Sequence, residues 1–146
     1  MVGAYRSLSP ENYDQHPGVG AELMGRWAFP TGVAIGLGAR YVAFPREGWD
    51  RVTVFLDGRY APTSPTRRVQ PVAGLRAGPY YGGGVGDGDG NPLFGVETAA
   101  IIGFSLRAGA GVSFTMLGDL GVVLTSNDPD RLRRFFPGVQ VGLTVH

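Results

Sequence analysis

The sequence predicts an all-β domain in which eight antiparallel strands run up and down and close into a barrel over residues 1–146. Three observations carry this prediction. Several segments alternate strictly between apolar and polar or small residues, which is the pattern of a strand with two unlike faces. Glycine and proline are frequent, at 25 and 11 residues, and no segment shows a sustained helical repeat of apolar residues. The connections also sort into two kinds that alternate along the chain.

The hairpin of residues 19–29 and 33–44 gives the clearest signal. In its second strand the apolar side chains share one parity and the other parity is mostly alanine and glycine, with Arg40 among them. Residues 30–32, Pro-Thr-Gly, have turn chemistry, because proline fixes φ and glycine accepts positive φ. Residues 51–60 alternate most regularly of all. The remaining strands are predicted at residues 2–8, 68–81, 93–107, 111–124 and 138–146.

The seven connections alternate in character. The first, third, fifth and seventh are longer or more polar, and the others are shorter. In an up-and-down meander the odd and even connections lie at opposite rims, so this sorting is typical of a closed barrel. The longer or more polar connections are residues 9–17, 45–50, 82–92 and 126–134.

The non-apolar faces decide which side of the barrel is inside. They carry mostly small residues and single charges of both signs, which suits a narrow lumen in which Arg forks pair with carboxylates. The expected lumen network is Glu22, Arg26, Arg40, Arg51, Asp57, Arg59, Arg76, Glu97, Arg107 and Asp119.

Aromatic residues concentrate towards the predicted strand ends, as they do in the girdles at the two membrane interfaces. The expected girdle is Trp27, Phe29, Phe44, Trp49, Tyr60, Tyr80, Tyr81, Phe135 and Phe136. The strands reach the roughly 9–11 residues needed to cross a bilayer at a tilt. The pattern therefore predicts a transmembrane β-barrel with its apolar faces outward.

The chain resembles the small eight-stranded bacterial outer-membrane barrels of the OmpA transmembrane-domain or OmpX kind. The resemblance is carried by residues 69–74 (Val-Gln-Pro-Val-Ala-Gly), 95–98 (Gly-Val-Glu-Thr) and 138–145 (Gly-Val-Gln-Val-Gly-Leu-Thr-Val). It implies a bacterial outer-membrane location after removal of a signal peptide, and short turns at the periplasmic rim. Members of this family usually end in an aromatic residue, whereas this chain ends in His146.

The same residues weigh against several other functions. The net charge of +1 does not favour a nucleic-acid partner, and the chain has no cysteine for disulfides or thiolate metal sites. The lipid-modifying hydrolases among such barrels need a His and a Ser close together on a strand, and no His-x-Ser occurs. Residues 86–91 could hold calcium, but they fail the EF-hand pattern and fit a solvated loop tip better. We therefore expect no catalytic residue, metal or cofactor.

The predicted role is a plugged barrel with a structural, adhesion or surface-interaction function, in contact with outer-membrane lipid, as a monomer or a homo-oligomer. Two alternatives remain at this point. One is a self-associating structural subunit. The other is a soluble lipocalin-like carrier whose apolar faces point inward. Its cavity would be lined by Leu23, Trp27, Ile35, Leu37, Tyr41, Leu56, Ile102 and Phe114.

Overall fold

The structure, a computed structural model, describes residues 2–7, 16–45, 49–62, 68–84, 93–109, 111–125 and 134–145. Within these ranges no helix has the length and hydropathy needed to cross a membrane. The strands are β1 (Val2–Ser7), β2 (His16–Ala28), β3 (Val33–Phe44), β4 (Trp49–Tyr60), β5 (Val69–Gly84), β6 (Leu93–Gly109), β7 (Val112–Thr125) and β8 (Arg134–Val145).

The prediction of an all-β, antiparallel, up-and-down fold is confirmed. Each strand pairs with the next one in the chain, and β1 also pairs with β8, so the ring closes. We call the end that carries the β2–β3 and β6–β7 turns the turn rim. The opposite end, where β3 passes into β4, is the loop rim. Both rims follow from the alternating direction of the strands.

Three strands begin earlier than the sequence pattern predicts: β4 by two residues, and β2 and β8 by three or more. The β2 ladder starts at His16, paired with Ser7, and the β8 ladder starts at Arg134, paired with Val123. Alternation identifies a strand only where its two faces differ in polarity. Near the loop rim the ladder continues through segments that contain proline and lack that contrast.

Alternation separates the two faces of the wall. From Arg51 to Tyr60 every residue is buried or exposed in turn, with Arg51, Asp57 and Arg59 inside and Leu56 outside. The same division holds along β3, where Arg40 is buried and Leu37 is exposed. The polar parity therefore faces the interior and the apolar parity faces outward.

At two positions the structure shows why glycine is required, one in a turn and one inside the barrel. Gly32 closes the β2–β3 turn with a φ of 87°, and its N–H donates to the Phe29 carbonyl oxygen at 3.1 Å. A side chain there would be strained, since φ is in the left-handed region. Inside the barrel, a Cβ at Gly78 would overlap the carbonyl oxygen of Val54. The small residues of the interior face thus let neighbouring strands and side chains approach closely.

The first strand is short in the part of the chain that the structure describes. β1 pairs with residues 16–21 of β2 on one side and residues 138–141 of β8 on the other. The described part of β1 therefore joins β2 to β8 near the loop rim.

Candidate functional site

The barrel interior holds a cluster of buried charges contributed by six neighbouring strands, β2 to β7. Four arginines face four carboxylates, so the cluster is formally neutral, and each residue is at most 5% exposed. We call this set the charge network: Glu22, Arg40, Arg51, Asp57, Arg59, Arg76, Glu97 and Asp119. Burial of so many charges is tolerable only if they are paired.

Arg40 connects three of the four carboxylates. Its Nε lies 3.2 Å from Glu22 Oε2, its Nη1 lies 3.1 Å from Glu97 Oε1, and its Nη2 lies 2.9 Å from Asp119 Oδ2. These contacts use all three nitrogens of the guanidinium and join β3 to β2, β6 and β7. One side chain therefore links strands that are far apart in the sequence, across the lumen.

Arg76 provides the second centre of the network. It donates to Glu22 through Nη1 at 2.7 Å and Nη2 at 3.0 Å, the two-pronged geometry in which guanidinium and carboxylate fit best. Its Nη2 also donates to Asp57 Oδ2 at 3.1 Å. The guanidinium carbon lies 3.9 Å from the centre of the Phe55 ring, a cation–π arrangement. Phe55 therefore covers one face of the guanidinium.

The two remaining arginines of the charge network, Arg59 and Arg51, are also paired with carboxylates. Arg59 contacts both Asp57 oxygens, with Nε 2.6 Å from Oδ1 and Nη2 2.9 Å from Oδ2. Arg51 Nη2 lies 3.6 Å from Glu97 Oε2. Two neutral side chains that the sequence interpretation missed complete the set, because Thr53 donates to Glu97 at 2.8 Å and Gln140 donates to Asp119 at 2.6 Å. Their interior parity is the only signal in the sequence that could have identified them.

Two of the ten residues expected in the lumen lie outside the charge network. Arg26 is half-buried, and its Nη2 contacts Met24 Sδ at 3.8 Å rather than a carboxylate. Arg107 is exposed at the turn end of β6, where its backbone N–H donates to the Arg68 carbonyl oxygen at 2.9 Å. The structure brings the other eight together. Arg26 and Arg107 instead lie beyond the last acidic residue on the turn-rim side.

Apolar clusters lie on both sides of the charge network along the barrel axis. Towards the loop rim, Val42, Phe44, Tyr80 and Val123 pack together, and all are at most 5% exposed. Towards the turn rim, Val72, Ile101 and Leu117 form a second cluster, with Ala61 packed against it. The interior is therefore layered, with charge in the middle and apolar side chains on either side.

The girdle prediction is wrong for Phe44 and Tyr80, which are buried in the barrel interior. Both lie near strand ends, but both have interior parity, and parity decides the direction of a strand side chain. Trp27, Phe29, Tyr60 and Tyr81 do face outward. The side chains of Trp49, Phe135 and Phe136 lie outside the part of the chain that the structure describes.

The soluble-carrier hypothesis is contradicted by the direction of its proposed lining. All eight of those side chains are on the outer surface, from Phe114 at 39% exposed to Leu23 at 83%. The interior positions that a carrier would need to be apolar hold the charge network instead. An apolar ligand would have no suitable cavity at the centre of this barrel.

The interior opens at the turn rim into a cavity of about 920 Å³, which we call the mouth cavity. Three arginines, Arg26, Arg59 and Arg107, line it together with Glu22. Leu23 of β2 and Leu143 of β8 also contribute to the lining.

The structure adds little to the question of metal sites. Residues 86–91, the candidate calcium loop, and His146 lie outside the described residues, as does the side chain of His16. Within the described ranges no group of three or more His, Asp or Glu residues is arranged to hold a metal ion.

Comparison with known proteins identifies the fold. No family model matches the sequence, and no curated protein matches it. Among solved structures, the chain is similar to Neisserial surface protein A, with a TM-score of 0.79 and 9% sequence identity. The match covers 99% of this chain and 93% of that one. The resemblance to small outer-membrane barrels is therefore confirmed at the level of the fold.

Proposed function

We propose that this chain is an integral outer-membrane β-barrel whose lumen is plugged and whose loops carry a surface role, such as adhesion or another surface contact. The observation that carries the proposal is the composition of the outer wall. Among the described residues, the only exposed charged side chains are Arg68 and Arg107, and both lie at the turn rim. The side chains that the structure describes on the wall between the rims carry no charge.

The extent of this apolar wall is incompatible with exposure to water. The largest apolar patch on a typical soluble monomer is about 300–600 Å². Here large apolar side chains are exposed on every strand whose side chains are described, including Leu37, Leu56, Leu75 and Ile102, which are 60–73% exposed. A bilayer is the environment in which such a wall is stable, and the ladders between neighbouring strands satisfy backbone groups that lipid cannot.

Aromatic side chains mark both ends of the wall. Trp27, Phe29 and Tyr60 face outward near the turn rim. Near the loop rim, Tyr81 and Phe94 meet edge to face with ring centres 5.0 Å apart, and the Tyr41 hydroxyl donates to Asp50 at 3.0 Å. Rings with polar groups beside them suit the two membrane interfaces. This distribution supports a transmembrane orientation along the barrel axis.

The interior supports a closed barrel rather than a channel or an enzyme. The lumen of an eight-stranded barrel is just wide enough to be filled by side chains. The charge network and the two apolar clusters occupy it in succession, and the carboxylates that could act as acids or bases are paired with arginines. We propose a monomer in contact with outer-membrane lipid, and sizing in detergent would detect a homo-oligomer.

Labelling of single cysteines on intact bacteria tests the location and orientation, with a host signal peptide added for export. The natural chain has no cysteine, so each variant reports one site. Pro45→Cys at the loop rim should react with an impermeant maleimide on intact cells. Thr31→Cys at the turn rim should react only after the outer membrane is permeabilised. Reaction of both sites on intact cells, or recovery of the folded protein outside the membrane fraction, would contradict the proposal.

A further inference from the structure

Asp50 is a carboxylate on the outward-facing parity of β4, at the loop rim. It shares this parity with Val52, which is exposed, whereas Arg51 between them is buried in the interior. The Asp50 side chain is half-buried, and its Oδ2 accepts a hydrogen bond of 3.0 Å from the Tyr41 hydroxyl. The ion pairs of the described arginines go to interior carboxylates, and none of them reaches Asp50. Its charge is therefore not balanced by a cation of the described chain.

Small residues leave space on both sides of this carboxylate. In the two ladders of β4, Asp50 lies opposite Ala43 of β3 and Gly83 of β5. A Cβ at Gly83 would meet one described atom within 4 Å outside its chain neighbours, Cε1 of Tyr81 at 3.9 Å. The wall thus has a shallow depression here, which we call the notch. Its floor is Ala43, Asp50 and Gly83, and its flanks are Tyr41 and Tyr81.

The two tyrosines stand on the side of the notch that faces the middle of the barrel wall. Tyr41 and Tyr81 both lie opposite Val52, which is two residues further from the loop rim than Asp50. Each is therefore a diagonal neighbour of Asp50, at about 7–8 Å between Cα atoms. Both side chains are about half exposed, and Phe94 packs edge to face against the Tyr81 ring. The notch thus places one carboxylate between two aromatic side chains.

A carboxylate beside aromatic rings is complementary to an ammonium group. The ring quadrupole attracts a cation, and the carboxylate accepts charge-assisted hydrogen bonds from its N–H groups. A divalent metal ion fits the notch less well, because calcium and magnesium take about six or more oxygen ligands. No group of three or more acidic or histidine side chains gathers in the described part of the chain. The chemistry of the notch therefore favours an organic ammonium over a metal ion.

The level of the notch along the wall indicates where this ammonium group comes from. Asp50 is the second residue of β4, at its loop-rim end. Tyrosine side chains are enriched at the level of lipid head groups. Below the notch, Val52 and Val54 are exposed at 43% and 48% and give an apolar surface on which acyl chains can lie. A lipid head group at the membrane interface would thus meet the carboxylate directly.

We propose that the notch binds a lipid with a primary ammonium head group. The ammonium donates to Asp50 and to the phenol oxygen of Tyr41, and it lies beside the Tyr81 ring. A primary ammonium is selected over a quaternary one because both oxygens need an N–H donor. This proposal rests on the proposed membrane location, because the lipid comes from the surrounding bilayer.

Native mass spectrometry of the chain in detergent micelles tests the site, with folding checked by far-UV circular dichroism. Phosphatidylethanolamine, phosphatidylcholine and phosphatidylglycerol with identical acyl chains are added separately. The fraction of protein that carries one lipid is measured over a range of lipid concentrations. Phosphatidylethanolamine should bind about fivefold more tightly than either of the others, because it alone brings N–H donors with a positive charge.

Matched variants locate the binding. Asp50→Asn keeps the shape of the side chain and should weaken phosphatidylethanolamine binding about tenfold, since the charge is lost. Tyr41→Phe keeps the ring and should weaken it about threefold. Gly83→Leu, at a glycine whose φ is not positive, should fill the notch and remove the preference for phosphatidylethanolamine. Gly25→Leu adds the same side chain where β2 has open space and should change the affinity less than about twofold.

Each other outcome overturns the proposal in a recognisable way. Equal binding of the three lipids, or an Asp50→Asn variant that binds like the parent, would mean ordinary lipid contact without a head-group site. Equal effects of Gly83→Leu and Gly25→Leu would place the binding outside the notch. Displacement of phosphatidylethanolamine by millimolar ethanolamine would mean a site for a free amine. Failure of the parent chain to fold in micelles would instead refute the proposed membrane barrel, so the two failures are distinguishable.

Discussion

Replacement of Arg40 by methionine should be strongly destabilising, because this side chain is the cation that Asp119 depends on. Among the described residues, Asp119 has Arg40 at 2.9 Å and the neutral Gln140 at 2.6 Å as its side-chain partners. Glu22 would keep Arg76, and Glu97 would keep Arg51 and Thr53. The main loss is therefore an uncompensated carboxylate at Asp119.

The expected loss of stability follows from the Asp119 carboxylate, which stays buried after its cation is removed. Removal of one partner of a buried ion pair costs about 3–5 kcal/mol, because the other charge stays in a poorly solvated site. Methionine replaces the aliphatic part of the arginine side chain, so the packing losses are small compared with the effect of the lost charge. Asp119→Asn in the Arg40→Met background removes the orphaned charge, and we expect it to recover about 1–3 kcal/mol of that loss.

Equilibrium urea unfolding in lipid vesicles, followed by tryptophan fluorescence, measures both effects. Arg68→Met serves as the control, since this exposed arginine lies outside the charge network and should cost less than about 0.5 kcal/mol. A loss below about 1 kcal/mol for Arg40→Met would refute the reasoning. So would a double variant that is no more stable than Arg40→Met alone.

Three further predictions test the wall and the interior. In the same unfolding assay, Ile102→Arg should cost about 2–4 kcal/mol and Leu106→Arg about 0–1 kcal/mol. Both side chains face outward on β6, but Leu106 lies nearer the turn rim. Equal costs would contradict a lipid-facing wall. Gly78→Ala should be destabilising, since its Cβ would overlap the Val54 carbonyl oxygen, whereas Gly25→Ala, with open space around it, should be close to neutral. Planar-bilayer recordings of purified monomer should show no large, regular open steps, and such steps would contradict a plugged lumen.

Strand positions and faces were predictable because alternation is a local property. Arg40 and Glu22 fall on the interior parity of their strands, and they pair directly in the β2–β3 ladder. The partners across the lumen were not predictable in the same way. Arg40 meets Asp119, 79 residues away, only because the registers of the five strands from β3 to β7 and the curvature of the barrel bring them to one level.

The residues that the sequence prediction misplaced also have a physical explanation, in the parity or the depth of the side chain. Phe44 and Tyr80 were assigned to the girdle because of their place along the strand, but parity places both rings in the interior. Arg26 has the parity of Glu22, yet it lies nearer the turn rim, where no acidic residue follows in the described interior. The depth of a side chain along the barrel depends on the register, which alternation does not reveal.

The most direct test of the membrane barrel is refolding with and without lipid. The chain is unfolded in urea and diluted either into buffer or into a suspension of lipid vesicles, and far-UV circular dichroism and sedimentation are recorded. We predict β structure and a vesicle-bound monomer only when lipid is present, since the exposed apolar wall cannot be stable in water. A monodisperse, β-rich monomer in buffer without lipid would contradict this account.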